Sequence, residues 1–566
     1  MIERTATLAP IAGDSELERL VTRSRLIGAD PTLVVHGGGN TSSKIEELDH
    51  LGRERTVLRV KGSGTDLKTI GPDGFPGLYL DELLPLRDRI AMTDEEMVDY
   101  LARCMVEPGS RRPSIETLLH AFLPARHVDH VHADAICALT NTPHAEAHVR
   151  EALGRDVAIV PYIRPGFDLS RQVAELAGAS AVVLDKHGLV TWGESHEESY
   201  GRTLELVARA EAYLAERERP RPAAAPDFDV AATESLLLSL RGMLSRDGRR
   251  VLHVDRGQRV FADRPDVDQV ATAARATPDH VLRIGPRSLV VRDPASVAEL
   301  VATFAESYQA YFTRHRHSLP PGLEMLSPLP RVVLVPGLGC IAAGPDARTA
   351  RVNAEVAARS HLVTARVLDA FGAVDWLEER DIFDFDYWLL ELYKLQSAPP
   401  REFSGHVVIV IDAGSTIGRA VVTRLAREGA HLVLSGDNAD TLQQIGAPLP
   451  EGTVQIAAGD PVTAAIMAFG GVDIIVALGS ITRDEMERLR TALERQGMGG
   501  VVVGLETARG AAVDLEQAIG AGVRSNALRV EEGADPDVVA EAVAFLASSR
   551  AVATNRATIP VGSRLN

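Results

Sequence analysis

The stretch HVDHVHADA, residues 127–135, sets His130 and His132 two positions apart in what reads as a strand. Alternate side chains of a strand share a face, so two imidazoles can be offered to one ion. Catalytic zinc takes at least one further protein ligand. His187, in VLDKHGLVTWG, supplies a third imidazole, and Gly188 after it lets the backbone turn away at a strand end. Glu116, in PSIETLLH, puts a carboxylate on a predicted helix shortly before the HxH strand. A base beside a metal can move a proton next to a polarised carbonyl. His120 and His127 lack the two-residue pairing and rank below these four. Taken singly, each histidine reads as a surface, capping or packed residue; their coincidence carries the argument.

Two glycine-rich stretches precede this set. HGGGNTSSK (36–44) and KGSGTDL (61–67) each follow an apparent strand, and their backbone N–H groups and short hydroxyls can cradle a phosphate. Neither is a Walker motif, and each alone is a tight turn by default.

The elements that must position these residues alternate between helix and strand. Leu17, Leu20 and Val21 mark a first helical stripe, and TLVV (32–35) and TVLRV (56–60) read as buried strands. Thr93 with Glu96 forms a capping box before Met97, Tyr100, Leu101 and Cys104. A further helix is expected after Pro113, strands at VAIVPYI and AVVLDKHGLVTWG, and a helix start at Ser195 with Glu198. The Pro-, Ala- and charge-rich run 216–229 marks a domain boundary. Beyond it RRVLHV, HVLRI, SLVVR and RVVLVP read as strands and VAELVATFAESYQAYF as a helix. Near Gly405 a strand, tight turn, helix, strand order begins that suits a nucleotide-binding βαβ unit. The expected layout is three α/β domains, at 1–220, 228–400 and 401–566, the last a Rossmann-like doubly wound sheet.

Composition narrows the function classes. A chain of 566 residues is several domains long. Its net charge of −18 argues against binding a phosphate backbone, so no nucleic-acid partner is expected. Cys104, Cys137 and Cys340 stand far apart, which suggests neither a disulfide framework nor a cysteine metal site and fits a reducing, cytoplasmic setting. The first twenty residues hold no apolar core of signal-peptide length, and no run is long and apolar enough for a bilayer, so no membrane partner is expected.

GGGNTSSK, KGSG, PSIETLLH, HVDHVHADA and DKHGLVTWG, in this order over residues 15–215, resemble the class II aldolase/adducin family. The resemblance implies an α/β/α fold and a zinc-dependent lyase. In it His130, His132 and His187 hold Zn2+, and Glu116 is the acid/base that also touches the metal when substrate is absent. It further implies that Gly39, Asn40, Ser63, Gly64 and Ser114 hold the phosphate of a ketose phosphate. Family aldolases often carry a serine just before the glutamate, where this chain has Ile115. The implied reaction cleaves a ketose 1-phosphate such as rhamnulose 1-phosphate into dihydroxyacetone phosphate and a small aldehyde. Zinc acts as the Lewis acid, and Glu116, its carboxyl pKa raised in a poorly solvated pocket, moves the proton.

The whole chain resembles fusions of a rhamnulose-1-phosphate aldolase with a short-chain dehydrogenase, FDFDYWLLELYKL, GRAVVTRLAREGA and VRSNALRV adding to the match. The dehydrogenase chemistry is nonetheless not expected. Where that family has TGxxxGIG this chain has IDAGSTIG, with Asp412 and Thr416 in place of glycines. A carboxylate there repels a pyrophosphate. The usual acidic residue after the second strand falls at Gly436, or at Asp437 with a one-residue shift, and the family's NAG turn appears as ALG at 477–479. From Gln396 to the end there is no tyrosine and no lysine, so the family's Tyr and Lys pair is missing. NAD is therefore not an expected cofactor, and Gly414 and Gly418 read as turn and packing glycines. A sugar-phosphate epimerase or dehydratase, a working bifunctional enzyme and a noncatalytic scaffold are the alternatives. The family also implies a homo-oligomer.

Overall fold

The computed structural model describes residues 10–219, 225–272, 276–392, 399–507, 510–511 and 522–562. The chain divides into two compact units. One comprises residues 1–222, 268–287 and 355–396; the other comprises 223–267, 288–354 and 397–566. The segment expected as a middle domain, 228–400, thus contributes to both units. Part of the boundary run 216–229 and the end of FDFDYWLLELYKL lie outside the described residues.

In the first unit, Ser15 and Glu18 close a capping box that starts the helix Glu16–Ala29. Seven strands follow: β1 (Asn40–Leu48), β2 (Glu54–Val60), β3 (Gly77–Tyr79), β4 (His127–Val131), β5 (Val157–Val160), β6 (Ala181–Leu184) and β7 (Gly188–Gly193). They form one sheet in the order β3-β2-β1-β4-β7-β6-β5, antiparallel except for the parallel pair β5/β6. Leu20, Ile27, Leu33, Val131, Ile136, Leu189 and Val207 belong to its largest core cluster.

Three local expectations are corrected. TLVV at 32–35 is not a strand: the Asp30 carboxylate accepts from Thr32 N–H and Oγ1 and the Asp30 carbonyl from Leu33 N–H, winding the chain into a turn that still buries Leu33 and Val34. The strand is NTSSKIEEL instead. The helix expected after Pro113 begins only at Thr117, because Pro113 bridges Gly62 and Ser114 N–H bonds Lys61 O. HVLRI is helical, not extended, within Pro278–Ile284; Thr277 and Pro278 are start signals and Gly285 ends it at φ 70°.

The second unit holds two sheets. Strands β8 (Val251–Asp255), β9 (Leu289–Val290), β10 (Val332–Val335) and β11 (Gly339–Gly344) make a four-stranded sheet in the order β8-β11-β10-β9. The larger sheet contains β12 (Val407–Ile411), β13 (His431–Ser435), β14 (Val454–Ile456), β15 (Ile474–Ala477), β16 (Gly500–Thr507), β17 (Gly510–Ala511), β18 (Val523–Val530) and β19 (Thr558–Val561). Its path, β14-β13-β12-β15-β16-β18-β19, is all parallel, with β17 antiparallel beside β16. Renumbered from β12 without β17, this is 3-2-1-4-5-6-7, the doubly wound Rossmann order. Asp473, before β15, is fully enclosed and accepts from Arg241 Nη2 at 2.5 Å, from Val407 N–H at 2.8 Å and from Arg249. This network fastens the helix Val230–Leu244 and the Arg249 segment to the sheet.

Candidate active site

Strand pairing assembles the site. Register places Asn40 of β1 opposite His130 of β4, while His130 lies opposite Val190 of β7. His187 sits in the tight turn between β6 and β7, after Lys186 at φ 54°. Gly188 then passes so close that a Cβ there would lie 3.1 Å from Cε1 of His130 and 3.0 Å from Cδ2 of His132. A side chain would fill the space that the imidazoles occupy. On the opposite face of β4, Asp129 pairs with buried Arg23 at 3.0 Å and accepts from Ser199 Oγ at 2.7 Å, which pins the strand.

His130, His132 and His187 converge, their ligand atoms all within 4.8 Å of one another. Glu116 joins them, with Oε2 3.6 Å from His130 Nε2 and Oε1 3.8 Å from His187 Nε2. Hydrogen bonding settles two of the tautomers. His130 Nδ1 lies 3.1 Å from the Leu189 carbonyl and His132 Nδ1 3.0 Å from an Asp279 carboxylate oxygen, so both Nδ1 atoms are N–H donors. The two Nε2 atoms, 2.9 Å apart, then face one another as lone pairs. Lone pairs so disposed call for a cation between them. Oε1 of Glu116, buried, has no hydrogen-bond partner among the described residues. This donor set of three imidazoles and a carboxylate fits a divalent metal.

Electrostatics agree with ligation and correct one expectation. Burial pushes the imidazole of His130 down and that of His187 to about 3, leaving both neutral, which is the ligand form. Burial pushes the Glu116 carboxyl up; any proton taken up by His130 or His187, together with the Asn40 amide, pulls it down, and the balance is a lowered pKa. The raised carboxyl pKa expected from a dry pocket is therefore not found: the Asn40 amide, donating to Oε2 at 2.6 Å, favours the carboxylate over the acid.

The glycine-rich stretches behave differently from one another. In HGGGNTSSK the hydroxyls turn away from the cavity: Thr41 Oγ1 bonds Ser24 at 2.6 Å, Ser42 Oγ bonds His120 Nδ1 at 2.7 Å and Ser43 Oγ bonds His127 Nδ1 at 2.9 Å. Those three are sheet residues with no role in a cradle. Gly39, Asn40, Ser63, Gly64 and Ser114 do line one cavity with Glu116, His132 and His187. Ser63 N–H bonds Arg112 O at 2.8 Å and Ser114 N–H bonds Lys61 O at 3.0 Å, lacing the second loop to the segment before Glu116, while Lys61 Nζ donates to Gly37 O at 2.7 Å and Gly39 O at 2.9 Å and ties it to the first. Asn40 Nδ2 donates to Glu116 Oε2 at 2.6 Å and to Ser114 Oγ at 3.3 Å. Its Oδ1 accepts from His120 Nε2, which makes His120 a support of Asn40.

The cavity residues missed by sequence reading include Asp279, Phe385, Trp388 and Glu391. They lie far along the chain, in segments that fold into this unit. Trp388 Nε1 donates to Asp94 at 2.7 Å, and Arg164, bonded to the same carboxylate oxygen at 3.0 Å, lies 4.8 Å over the indole. Ile115 packs on Leu282, Phe385 and Trp388. A serine there would leave that apolar wall without a contact. FDFDYWLLELYKL was the available signal, an aromatic-rich run noted for its resemblance alone.

A second group, Glu16, His127 and His196, also has metal-like spacing. Arg23 Nη1 donates to His196 Nδ1 at 2.9 Å, which puts the His196 proton on Nε2, facing Glu16 at 3.4 Å. That nitrogen has no lone pair to give.

In the second unit, the β12 turn carries Asp412 at φ 57°. Burial and then Asp437 raise its carboxyl pKa. A Cβ on Gly418 would meet the carbonyls of Asp412 and Ala413 at 2.6 Å, so this glycine lets the helix Thr416–Arg427 pack against the turn. A Cβ on Gly414 would meet nothing nearer than Thr441 Cγ2 at 3.6 Å.

The chain belongs to the class II aldolase/adducin family, in the form in which a class II aldolase domain is joined to a Rossmann-type, dehydrogenase-like region. Residues 18–214 match the family described as the class II aldolase and adducin N-terminal domain, and residues 231–395 match the aldolase class II second domain. YuxG of Bacillus subtilis, named an uncharacterized oxidoreductase, is 36% identical over 501 residues, 81% of this chain and 72% of its own length. An uncharacterized oxidoreductase of Staphylococcus aureus is 35% identical over 79 residues, 12% of this chain and 34% of its own. The N-terminal class II aldolase domain of a conserved Thermoplasma acidophilum protein is 47% identical, covering 37% of this chain and 98% of its own, with a TM-score of 0.35. Among the described residues no helix is long and apolar enough to cross a membrane.

Proposed function

We propose that this enzyme is a zinc-dependent aldehyde-lyase that cleaves a ketose 1-phosphate, such as rhamnulose 1-phosphate, to dihydroxyacetone phosphate and a small aldehyde. The observation that carries the reading is the pair of imidazole lone pairs on His130 and His132, 2.9 Å apart, with His187 and Glu116 beside them. A zinc ion held by His130, His132 and His187 supplies Lewis acidity for the substrate carbonyl and its neighbouring hydroxyl.

The chain's own residues do the rest. Glu116, ionised and 2.6 Å from the Asn40 amide, is poised to take a proton from carbon in the condensation direction; in cleavage the proton it delivers to that carbon is the one released by the hydroxyl beside the breaking carbon–carbon bond. Gly39, Asn40, Ser63, Gly64 and Ser114 bind the phosphate, and their lacing fixes its distance from Glu116. Trp388, Phe385 and Ile115 exclude water from the other wall.

The dehydrogenase-like region keeps a fold without the reaction. Asp412 and Asp437 set negative charge where a pyrophosphate would lie, and no Tyr and Lys pair is present. The oxidoreductase in the relative's name describes that relative and not this chain.

A coupled assay for triose phosphate over a panel of ketose phosphates, run with and without chelator, tests the proposal. Chelator-sensitive release of dihydroxyacetone phosphate is expected. Epimerised or dehydrated product with no triose phosphate would replace the lyase reading with one of its superfamily alternatives.

A further inference from the structure

We propose that Asp279, contributed by a segment far outside the N-terminal aldolase module, is a positioning residue of the metal centre that fixes the tautomer and aim of His132. The inference rests on the metal-site reading above and adds a residue to it.

Three observations support it. Asp279 Oδ2 lies 3.0 Å from His132 Nδ1, and the His132 side chain is almost enclosed. A carboxylate that accepts from Nδ1–H leaves the lone pair on Nε2 and raises the basicity of the imidazole as a ligand. The three candidate ligands are not treated alike: His130 has a neutral carbonyl behind it, and His187 Nδ1 has no hydrogen-bond partner among the described residues. Among the described residues, His132 alone of the three has a charged oxygen against its Nδ1.

The backbone is built around this contact. A Cβ on Gly38 would lie 3.2 Å from His132 Nδ1 and 3.3 Å from Asp279 Oδ2, crowding both partners at once. One turn beyond Asp279 on the same helix, Arg283 Nη2 donates to His36 O at 3.0 Å. Helix Pro278–Ile284 therefore grips the glycine-rich loop with one residue and reaches the ligand with another. The stretch 36–39 acts as the seat for this helix as well as a wall of the cavity.

The test is metal affinity, measured by competition with a chromogenic chelator, together with the visible spectrum of the Co2+-loaded protein. D279A should weaken Zn2+ binding about 10- to 100-fold and broaden or shift the cobalt bands. D279N, isosteric and still able to accept from Nδ1–H, should fall between D279A and the unsubstituted protein. It also separates loss of charge from any failure to fold. Unchanged affinity and an unchanged spectrum in D279A would overturn the role of Asp279 while leaving the metal site standing. Absence of stoichiometric metal in the unsubstituted protein would overturn both.

Discussion

The amide of Asn40 donates to Oε2 of Glu116 at 2.6 Å, so the residue that register sets across from His130 also aims the carboxylate. Asn40 is itself held by His120. Replacing Asn40 with Ala should lower kcat about 10- to 100-fold with little loss of bound metal, because it frees the carboxylate without touching an imidazole. Asn40→Asp should be worse, since two carboxylates would meet. Steady-state kinetics with metal analysis decides it; an unchanged kcat in both variants would remove Asn40 from the machinery.

Glu116→Gln should retain metal and lose turnover by about 10²- to 10⁴-fold, the usual worth of a positioned acid/base. His130→Ala should lose the metal along with activity. Metal content of the two proteins separates the roles, and near-native turnover in the glutamine variant would refute the assignment.

Titration of the full chain with NADH should show no tight, stoichiometric binding, because Asp412 stands in the phosphate-facing turn with Asp437 near it. Isothermal calorimetry is sufficient. A saturable heat at micromolar NADH would restore the cofactor site.

Trp388→Ala should reduce kcat/KM at least 10-fold and cost about 3–5 kcal/mol of stability, since it removes a buried indole and the bond to Asp94. Metal stoichiometry should hold. An unaltered kcat/KM would mean that the far wall of the cavity does not meet substrate.

Acid should weaken the second unit through His431. Burial, which Asp346 opposes and Arg241 assists, lowers its imidazole pKa to about 4, and its Nε2 accepts from Ala347 N–H at 3.0 Å. The folded pKa lies below the ordinary 6.5, so the unfolded chain takes up the proton first. The contribution is complete above about pH 6.5 and fades as pH falls to 4, a loss on the order of 2–3 kcal/mol. Urea unfolding of the native protein and His431→Gln should give curves that approach one another in acid; parallel pH profiles would contradict this.

Much of the site was legible because its parts are local. HxH on a strand, a Gly after a turn histidine, and a carboxylate before the strand are spacing signals, and the β-α-β order near Gly405 is read the same way. Capping at Thr93 and Ser195 was equally plain. TLVV and HVLRI misled, since short apolar runs are extended or coiled according to neighbours such as Asp30 and Thr277.

From the order of residues alone came the four groups that converge as candidate metal ligands and base, and the absence of a dehydrogenase's Tyr and Lys after Gln396. Only the folded chain decided which tautomers the histidines adopt, that Glu116 is ionised, and that Asp279, Trp388 and Glu391 line the same cavity. The reason is distance along the chain: a proton's place on an imidazole depends on an oxygen some 150 positions away, and no local pattern encodes that meeting.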